Sequence, residues 1–250
     1  MWSLIDQITA FLGIPCLLCS QLHYEPINIC KACLADLPWC QKSCYQCGLQ
    51  LNTGPKSTMQ LICGQCLQQP PNFDLSLAAC HYLPPVDSLL RRFKHQYHLP
   101  SGRVLAHLLT QKVKTYWQQP GSFQPELLVP VPLHRQRLQQ RGFNQALLLS
   151  QWLGTELGLP VARQFCRRVD RAAAQQNQKR QERLHNLRHA FQLRQPIQAT
   201  RIALIDDVLT TGATAEALSR SIRNTQGNKV KQIALWCIAR TPPPGHQLIW

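Results

Sequence analysis

The chain has 250 residues, 44% of them hydrophobic, and its 27 Lys and Arg against 12 Asp and Glu give a formal net charge of +15. This hydrophobic content excludes an intrinsically disordered chain, and the lack of any apolar run of about 18 residues argues against a membrane span. Residues 1–6 carry no basic segment of the kind that opens a secretory signal, so we expect a cytoplasmic protein.

Cysteines and charges are unevenly distributed along the chain, and this predicts two domains. Nine of the 12 cysteines precede residue 67, and residues 1–80 have a net charge of −1 whereas residues 81–250 have +16. The polar residues 68–72 include a Pro-Pro step and suit a linker. We therefore predict a cysteine-rich domain over residues 1–75 and a basic domain over residues 76–250.

The first domain contains four Cys-x-x-Cys pairs, separated by 10, 10 and 15 residues. Their members are Cys16, Cys19, Cys30, Cys33, Cys44, Cys47, Cys63 and Cys66. Two thiolates three positions apart can face one metal ion, and two such pairs complete a tetrahedron, which predicts one or two zinc-ribbon-like sites. Four sulfur ligands leave no open position, so the zinc is expected to be structural. Sequential use of the pairs is preferred, and an interleaved arrangement stays open.

Disulfide bonds and redox chemistry are the alternative uses of these cysteines. An even number of cysteines in a small secreted domain would favour disulfides, but the N-terminus does not indicate secretion. A redox site needs a single Cys-x-x-Cys pair next to a βαβ unit, and none of the four pairs opens such a unit. Metal binding is therefore favoured over both.

The second domain concentrates its positive charge in residues 131–201, which hold 13 Arg and Lys against three acidic residues. This net charge of +10 exceeds what one small anionic substrate needs, so single-stranded nucleic acid is a candidate partner. A basic surface without a specific partner is the alternative. Aromatic residues in this part of the chain could stack on bases, but a place in the core is favoured for Phe143, Trp152, Phe165 and Phe191.

The clearest pattern in the chain is residues 201–214, which read Arg-Ile-Ala-Leu-Ile-Asp-Asp-Val-Leu-Thr-Thr-Gly-Ala-Thr. The apolar run 202–205 predicts a strand buried on both faces of a parallel sheet, with Asp206 and Asp207 where that strand ends. A loop rich in small and hydroxyl residues follows and leads into a helix through about residue 223. This pattern is typical of an anion-binding site at a helix N-terminus. The two carboxylates that precede it could bind sugar hydroxyls or Mg²⁺. A simple threonine N-cap is the alternative.

These residues resemble the motif for phosphoribosyl pyrophosphate (PRPP) in type I phosphoribosyltransferases. Residues 129–137, Val-Pro-Val-Pro-Leu-His-Arg-Gln-Arg, and 141–145, Arg-Gly-Phe-Asn-Gln, are similar to the ComF family, also called the GntX family. A cysteine-rich module in front of the enzyme domain is that family's arrangement too. The resemblance implies an α/β protein with the type I phosphoribosyltransferase fold, a central and mainly parallel sheet flanked by helices, behind a small zinc-ribbon-like domain.

The resemblance also implies roles for individual residues. Asp206 and Asp207 would contact the ribose hydroxyls as the catalytic carboxylates, and PRPP would arrive with Mg²⁺. The 5′-phosphate would be held by Thr210, Thr211, Gly212, Ala213 and Thr214. Pyrophosphate would be held by His134, Arg135, Arg137 and Lys94, although as a lone residue His134 fits a surface histidine equally well. Lid or brace roles would fall to Arg141, Asn144, Arg168, Arg183 and Asn186.

Residues 167–191 align with the family's mobile basic loop, and a solvated basic segment is the alternative for them. The sequence departs from the family at Gln178, where a leucine is usual, and at His95, where an aromatic residue is usual.

Three functions follow from the resemblance. The first is a Mg²⁺-dependent phosphoribosyltransferase linked to the uptake or utilisation of DNA. The alternatives are an accessory protein that binds single-stranded DNA and works with DNA-processing proteins, and a PRPP sensor without turnover.

Overall fold

A computed structural model of the chain describes residues 13–51, 61–168 and 190–242. The cysteine-rich part is built from short elements: β1 (Ile14–Pro15), β2 (Leu22–His23), α1 (Lys31–Ala35) and α2 (Gly64–Gln68). β1 and β2 pair in antiparallel fashion, and Cys30 and Cys63 are the N-cap residues of the two helices. Elements this short bury little apolar surface by themselves, so the fold of this part depends on its cysteine clusters and on packing against the rest of the chain.

The remainder is a sheet with flanking helices. Its elements in chain order are β3 (Leu75–His81), α3 (Val86–Gln96), α4 (Leu99–Trp117), β4 (Leu127–Pro130), α5 (Arg135–Arg141), α6 (Gln145–Leu157), β5 (Cys166–Arg168), β6 (Phe191–Leu193), β7 (Arg201–Leu209), α7 (Ala213–Asn224) and β8 (Gln232–Arg240). The four strands of the main sheet lie in the order β3-β8-β7-β4, and all three pairings are parallel. β5 and β6 form a separate antiparallel pair.

Continuous apolar runs place β7 and β8 in the centre of the sheet, because strands covered on both faces need apolar side chains on both. Residues 202–205 of β7 are fully buried, and residues 233–239 of β8 are at most 1% exposed. One face packs against α3, α4 and α6, and the other packs against α7 and the β5–β6 pair. The predicted fold class is confirmed: a parallel sheet flanked by helices, with a small cysteine-rich module in front.

The predicted end of β7 is wrong. The apolar run suggested a strand that stops before the two carboxylates, but β7 continues to Leu209 because β8 runs beside it as far as Arg240. On its other side, β7 pairs with β4 only up to Ile205. Within the described residues, Asp206 and the residues after it are therefore paired with a strand on one side only, and ligands of parallel sheets bind at such strand ends.

The cysteine-rich part covers the edge strand β3. The N–H of Cys40 donates to the carbonyl of Ala79 at 3.0 Å, and the N–H of His81 donates to the carbonyl of Pro38 at 2.7 Å. The predicted linker is anchored as well, because the N–H of Asn72 donates to Glu216 of α7 at 2.6 Å. A covered edge is protected from pairing with other chains. The domain boundary at residues 75–76 falls at the start of β3 and stays a prediction.

Among the described residues, no helix combines the length and the apolar character needed to cross a lipid bilayer. The longest, α4, has 19 residues and carries basic and polar side chains along with its buried ones.

Candidate functional site

Two carboxylates near the carboxyl end of β7 form the centre of the site. Successive side chains of a strand point to opposite faces of the sheet, so Asp206 and Asp207 are directed into different layers. Asp207 faces the layer of α3, where the Lys94 ammonium lies 3.1 Å from its Oδ2. The side chains of Lys94 and Asp207 are only 19% and 15% exposed, so solvent screens this ion pair less than a surface pair.

The carboxyl of Asp206 has a perturbed pKa. Burial raises the pKa of Asp206 to about 7, and the negative charge of Asp207 adds to the rise. The N–H of Asp207 donates to Asp206 Oδ1 at 2.8 Å and opposes the rise, as do the charges of Lys94 and Arg168. Near neutral pH this carboxyl is therefore divided between its protonated and ionised forms. A cation or hydroxyl donors beside it would favour the ionised form.

Residues 210–214, the Thr loop, follow β7 and lead into α7. Gly212 has a φ of +78°, a left-handed conformation that favours glycine, and it is the N-cap of α7. The N–H of Ala213 donates to Thr211 Oγ1 at 3.3 Å, and the N–H of Glu216 donates to the carbonyl of Gly212 at 2.8 Å. The 12-residue helix therefore starts beside the carboxylates, and its N-terminal partial positive charge suits an anion.

The predicted pyrophosphate residues are only partly brought together. Lys94, Arg137 and Arg141 line one cleft of about 360 Å³, together with aromatic and polar side chains of α3, of α5 and of the residues that directly follow these helices. Arg135 instead lines a different and larger groove. His134 is the N-cap of α5, and its Nδ1 accepts a hydrogen bond from the N–H of Gln136 at 3.3 Å. Arg135 and Arg137 are exposed, so both are accessible to an anion.

Of the predicted lid and brace residues, the structure describes Arg141, Asn144 and Arg168. Asn144 caps α6 by accepting from the N–H of Ala146 at 3.0 Å, and it donates to the carbonyl of Val131 at 3.2 Å. It thereby ties α6 to the segment that follows β4. Arg168 stacks over the ring of Phe191 at 5.6 Å. Arg183 and Asn186, with residues 169–189 of the predicted lid, lie outside the described residues.

A groove of about 860 Å³ lies between α5, α6 and β5. Its floor is largely apolar and includes Pro132, Leu133, Leu138, Phe143, Leu147 and Leu148. Five arginines also line it: Arg135, Arg163, Arg167, Arg168 and Arg194. An apolar floor with cations around it can hold a ligand that has flat apolar faces and negative charge.

The eight paired cysteines form two clusters, and the sequential pairing is confirmed. The first cluster is Cys16, Cys19, Cys30 and Cys33, and the second cluster is Cys44, Cys47, Cys63 and Cys66; within each, the sulfurs lie within 4.8 Å of one another. The Cys19 and Cys30 sulfurs are 3.8 Å apart, and those of Cys47 and Cys63 are 3.7 Å apart. A tetrahedron with Zn–S bonds of about 2.3 Å has edges of about 3.8 Å. Both clusters therefore fit zinc.

Two thiols of the second cluster have pKa values that are shifted in opposite directions. A hydrogen bond from the Cys47 thiol lowers the pKa of Cys44 to about 4 against the effect of burial, and N–H donors of neighbouring residues, Cys63 among them, add to this. The same contact raises the pKa of Cys47. A divalent cation bound by all four sulfurs would hold them as thiolates, because the cation offsets their mutual repulsion.

Sequence reasoning missed one residue of this region, Arg240. It ends β8, and only the parallel pairing of β8 with β7 brings its side chain under the first residues of the Thr loop. An arginine at the end of an apolar run gives no signal of its own in the sequence, since most such residues are solvated.

No protein-family model matches the sequence. The chain is 33% identical over 237 residues to Competence protein F of Haemophilus influenzae, which covers 92% of this chain and 98% of that protein. It is 31% identical over 214 residues to the DNA utilization protein YhgH of Escherichia coli K12, which covers 86% and 91%. Over 96 residues, 38% of each chain, it is 34% identical to Competence protein ComFC of Bacillus subtilis.

Among solved structures, a purine phosphoribosyltransferase from Pyrococcus horikoshii aligns with a TM-score of 0.30 and 15% identity, over 58% of this chain and 90% of that one.

Proposed function

Because this chain belongs to the ComF family, we propose that it binds PRPP with Mg²⁺ at the carboxyl end of β7 and serves the uptake or utilisation of DNA in the cytoplasm. Relatives matched over most of their length carry the names Competence protein F and DNA utilization protein. The observation that carries the PRPP part is the junction of the Asp206–Asp207 pair with the Thr loop and the N-terminus of α7.

Different residues of the site suit the ribose, the 5′-phosphate and the pyrophosphate of PRPP. The carboxylates would accept hydrogen bonds from the ribose hydroxyls, and the N–H and hydroxyl groups of the Thr loop would donate to the 5′-phosphate. Lys94, Arg137 and Arg141 in the neighbouring cleft would neutralise the pyrophosphate. Mg²⁺ would supply further neutralisation of the pyrophosphate oxygens.

Transfer from PRPP needs little covalent help from the protein. The bond between C1 and the pyrophosphate oxygen breaks, the pyrophosphate leaves with the electron pair, and an acceptor nucleophile attacks C1. The protein would hold the reactants in line, surround the leaving group with cations and exclude water. No nucleophilic side chain is required. Turnover therefore depends on an acceptor, and a protein that binds PRPP without one would act as a sensor.

Two measurements on the metal-loaded protein test this proposal. Calorimetry with PRPP should show binding that strengthens when Mg²⁺ is added, because the cation reduces the repulsion around the phosphates. An assay for released pyrophosphate, run with a panel of bases, amines and oligonucleotides, should then identify the acceptor. PRPP binding without pyrophosphate release from any mixture would favour the sensor. No PRPP binding with Mg²⁺ would overturn the proposal.

Single-stranded DNA is a second candidate ligand, and the arginine-lined groove favours it. Three of its arginines, Arg163, Arg167 and Arg194, are exposed, and none of them lines the cleft that contains Lys94. The apolar floor offers contact to the faces of bases, while the arginines would contact the phosphates.

The four aromatic residues that we expected in the core are there in part. Phe165 and Phe191 are buried, and Phe143 and Trp152 are partly buried and pack against buried side chains.

Replacing Arg163, Arg167 and Arg194 together by glutamine should weaken the salt dependence of single-stranded DNA binding. Three lost phosphate contacts would flatten the slope of log affinity against log salt by about two, at about 0.7 per contact for a single strand. Fluorescence anisotropy over a salt series measures this slope.

The matched control replaces Lys31, Arg91 and Arg201, which carry the same total charge but pair with acidic residues outside the groove. If both triple variants change the slope equally, the DNA contacts are spread over the surface and the groove is not the site. If neither variant nor the wild type binds DNA at low salt, only the PRPP proposal is left.

Two structural zinc ions, one in each cluster, belong to the same proposal. The clusters supply four ligands each and no open position, so their expected contribution is to folding, not to the reaction.

A further inference from the structure

One guanidinium connects the second cluster to the Thr loop. Arg240 Nε donates to the carbonyl of Cys47 at 3.0 Å. Its Nη1 donates to the carbonyls of Leu209 at 3.1 Å and Thr210 at 2.5 Å, and to that of Thr241 at 2.6 Å. A residue of the cluster and the first residue of the loop are thus held by the same planar group.

These contacts fix the direction of two N–H groups of the loop. In a trans peptide the C=O and N–H bonds point in opposite directions across the same plane. The carbonyls of Leu209 and Thr210 point to Arg240, so the N–H groups of Thr210 and Thr211 point away from it. Arg240 therefore holds the loop with these donors turned outward, where an anion can approach them.

The position of Arg240 depends in turn on the turn that contains Cys47. The N–H of Gly48 donates to the carbonyl of Cys44 at 2.9 Å, and the N–H of Cys63 donates to the sulfur of Cys44 at 3.3 Å. Gly48 has a φ of +67°, and a Cβ placed there would lie 3.8 Å from Cδ of Arg240. The turn of the second cluster therefore packs directly on the stem of Arg240.

We infer that Arg240 is a positioning residue that couples the second cluster to the Thr loop, so that a metal ion in the cluster and an anion on the loop strengthen each other's binding. The inference rests on the proposed function, because the anion is PRPP. Loss of the metal frees the turn that carries Cys47, and Arg240 then loses one of the groups that hold it in place. Coupling of two binding events is reciprocal, so PRPP must also retain the metal.

The first cluster serves as an internal control for the coupling. Within the part of the chain that the structure describes, the side-chain hydrogen bonds of Arg240 go to the second cluster, the Thr loop and its flanking residues, and none goes to the first cluster. The coupling is therefore expected for one of the two metal ions and not for the other.

Zinc transfer from the intact, zinc-loaded protein to a coloured chelator tests the coupling. We expect the wild type to lose its two zinc ions in two steps as the chelator concentration is raised, and PRPP with Mg²⁺ should raise the apparent zinc affinity in one of these steps by about fivefold or more, the lower end of common coupling strengths. Calorimetry gives the PRPP affinity of the same samples.

Arg240→Gln removes both the charge and the planar donors. PRPP should then bind roughly tenfold more weakly, about the effect of one charge-assisted hydrogen bond, because the N–H donors of the loop are no longer held outward, and PRPP should no longer protect the zinc. Arg240→Lys keeps the charge but cannot reach the carbonyls of Cys47 and Thr210 together. It should regain part of the PRPP affinity without regaining the protection.

Arg223→Gln is the matched control, since Arg223 also donates to backbone carbonyls, of Asn72 and Lys231, but at the other end of the sheet. It should leave both PRPP affinity and zinc protection unchanged. Thermal unfolding shows whether each variant is folded, and Arg240→Lys carries the test if Arg240→Gln is not.

Two results would count against this coupling in different ways. If the wild type binds PRPP but holds both zinc ions with affinities that PRPP does not alter, the coupling is wrong and the proposed function stands. If the wild type does not bind PRPP, the proposed function fails, and the coupling fails with it because the loop then has no such ligand.

Discussion

PRPP binding should be lost when Asp206 and Asp207 are both replaced by asparagine, while the fold is kept. Hydrogen bonds to charged groups contribute about 1.5–3 kcal/mol each, so the loss of two carboxylates predicts a fall in affinity of about 100-fold or more. Asp207→Asn removes the partner of Lys94, whereas Asp206→Asn removes a carboxyl that is only partly exposed and is repelled by Asp207, and these changes act on stability in opposite directions.

Calorimetry with PRPP and Mg²⁺ measures this affinity. The control pair is Asp87→Asn with Glu126→Gln, because both acids form ion pairs away from the site and their replacement changes the net charge equally. Unchanged PRPP affinity in the site variant would remove these carboxylates from the binding site. An equal loss in both variants would mean that net charge, and not the site, determines the affinity.

The pKa of Asp206 gives the single variant Asp206→Asn a pH signature. In the folded chain this pKa is about 7, above its ordinary value of 3.8. Between these values the folded state binds more protons than the unfolded state, so the free energy of unfolding decreases as the pH rises from about 4 to about 7. Asparagine does not titrate, so the variant should be more stable than the wild type at pH 8, by about 1–3 kcal/mol, and similar to it near pH 4.

Denaturant titrations at both pH values, without PRPP or Mg²⁺, measure this difference. A gain in stability of the same size at pH 4 and pH 8 would show that the effect does not come from ionisation of Asp206.

Replacing Cys44 and Cys47 by serine should unfold the second cluster and its surroundings, which is the largest expected effect on stability. Structural zinc contributes about 10–16 kcal/mol to the folding of zinc-finger peptides, as much as the whole stability of an ordinary domain. Elemental analysis should show the zinc content falling from two ions per chain to one, given one ion for each cluster. The sheet should persist, because the four cysteines of the second cluster are not among the buried residues that form the core on its two faces.

Limited proteolysis and circular dichroism distinguish loss of the module from loss of the whole fold. Cys166→Ser is the matched control, since Cys166 is partly exposed and belongs to neither cluster, and it should change neither zinc content nor protease resistance. A cysteine-rich module that resists protease without metal would contradict the structural role of the clusters.

The sequence by itself determined the features that depend on local pattern. The spacing of the cysteine pairs predicted one or two tetrahedral sites with sequential pairing preferred, because ligands three residues apart on a turn can share one ion, and the structure decided between sequential and interleaved pairing. The apolar run 202–205 predicted a strand buried on both faces of a parallel sheet, and the loop 210–214 before α7 was visible because strand, small-residue loop and helix follow one another directly.

Only the tertiary structure decided the features that depend on residues far apart in the chain. β7 extends to Leu209 because β8 pairs with it, and no local signal reports the length of a neighbouring strand. Lys94 lies on Asp207 because the helix α3 packs over that end of the sheet. Arg240 reaches both Cys47 and Thr210 because the cysteine-rich module covers the edge strand β3. Hydrogen bonds between residues 30 to 193 positions apart arise from packing, and a pattern of near neighbours in the sequence does not contain them.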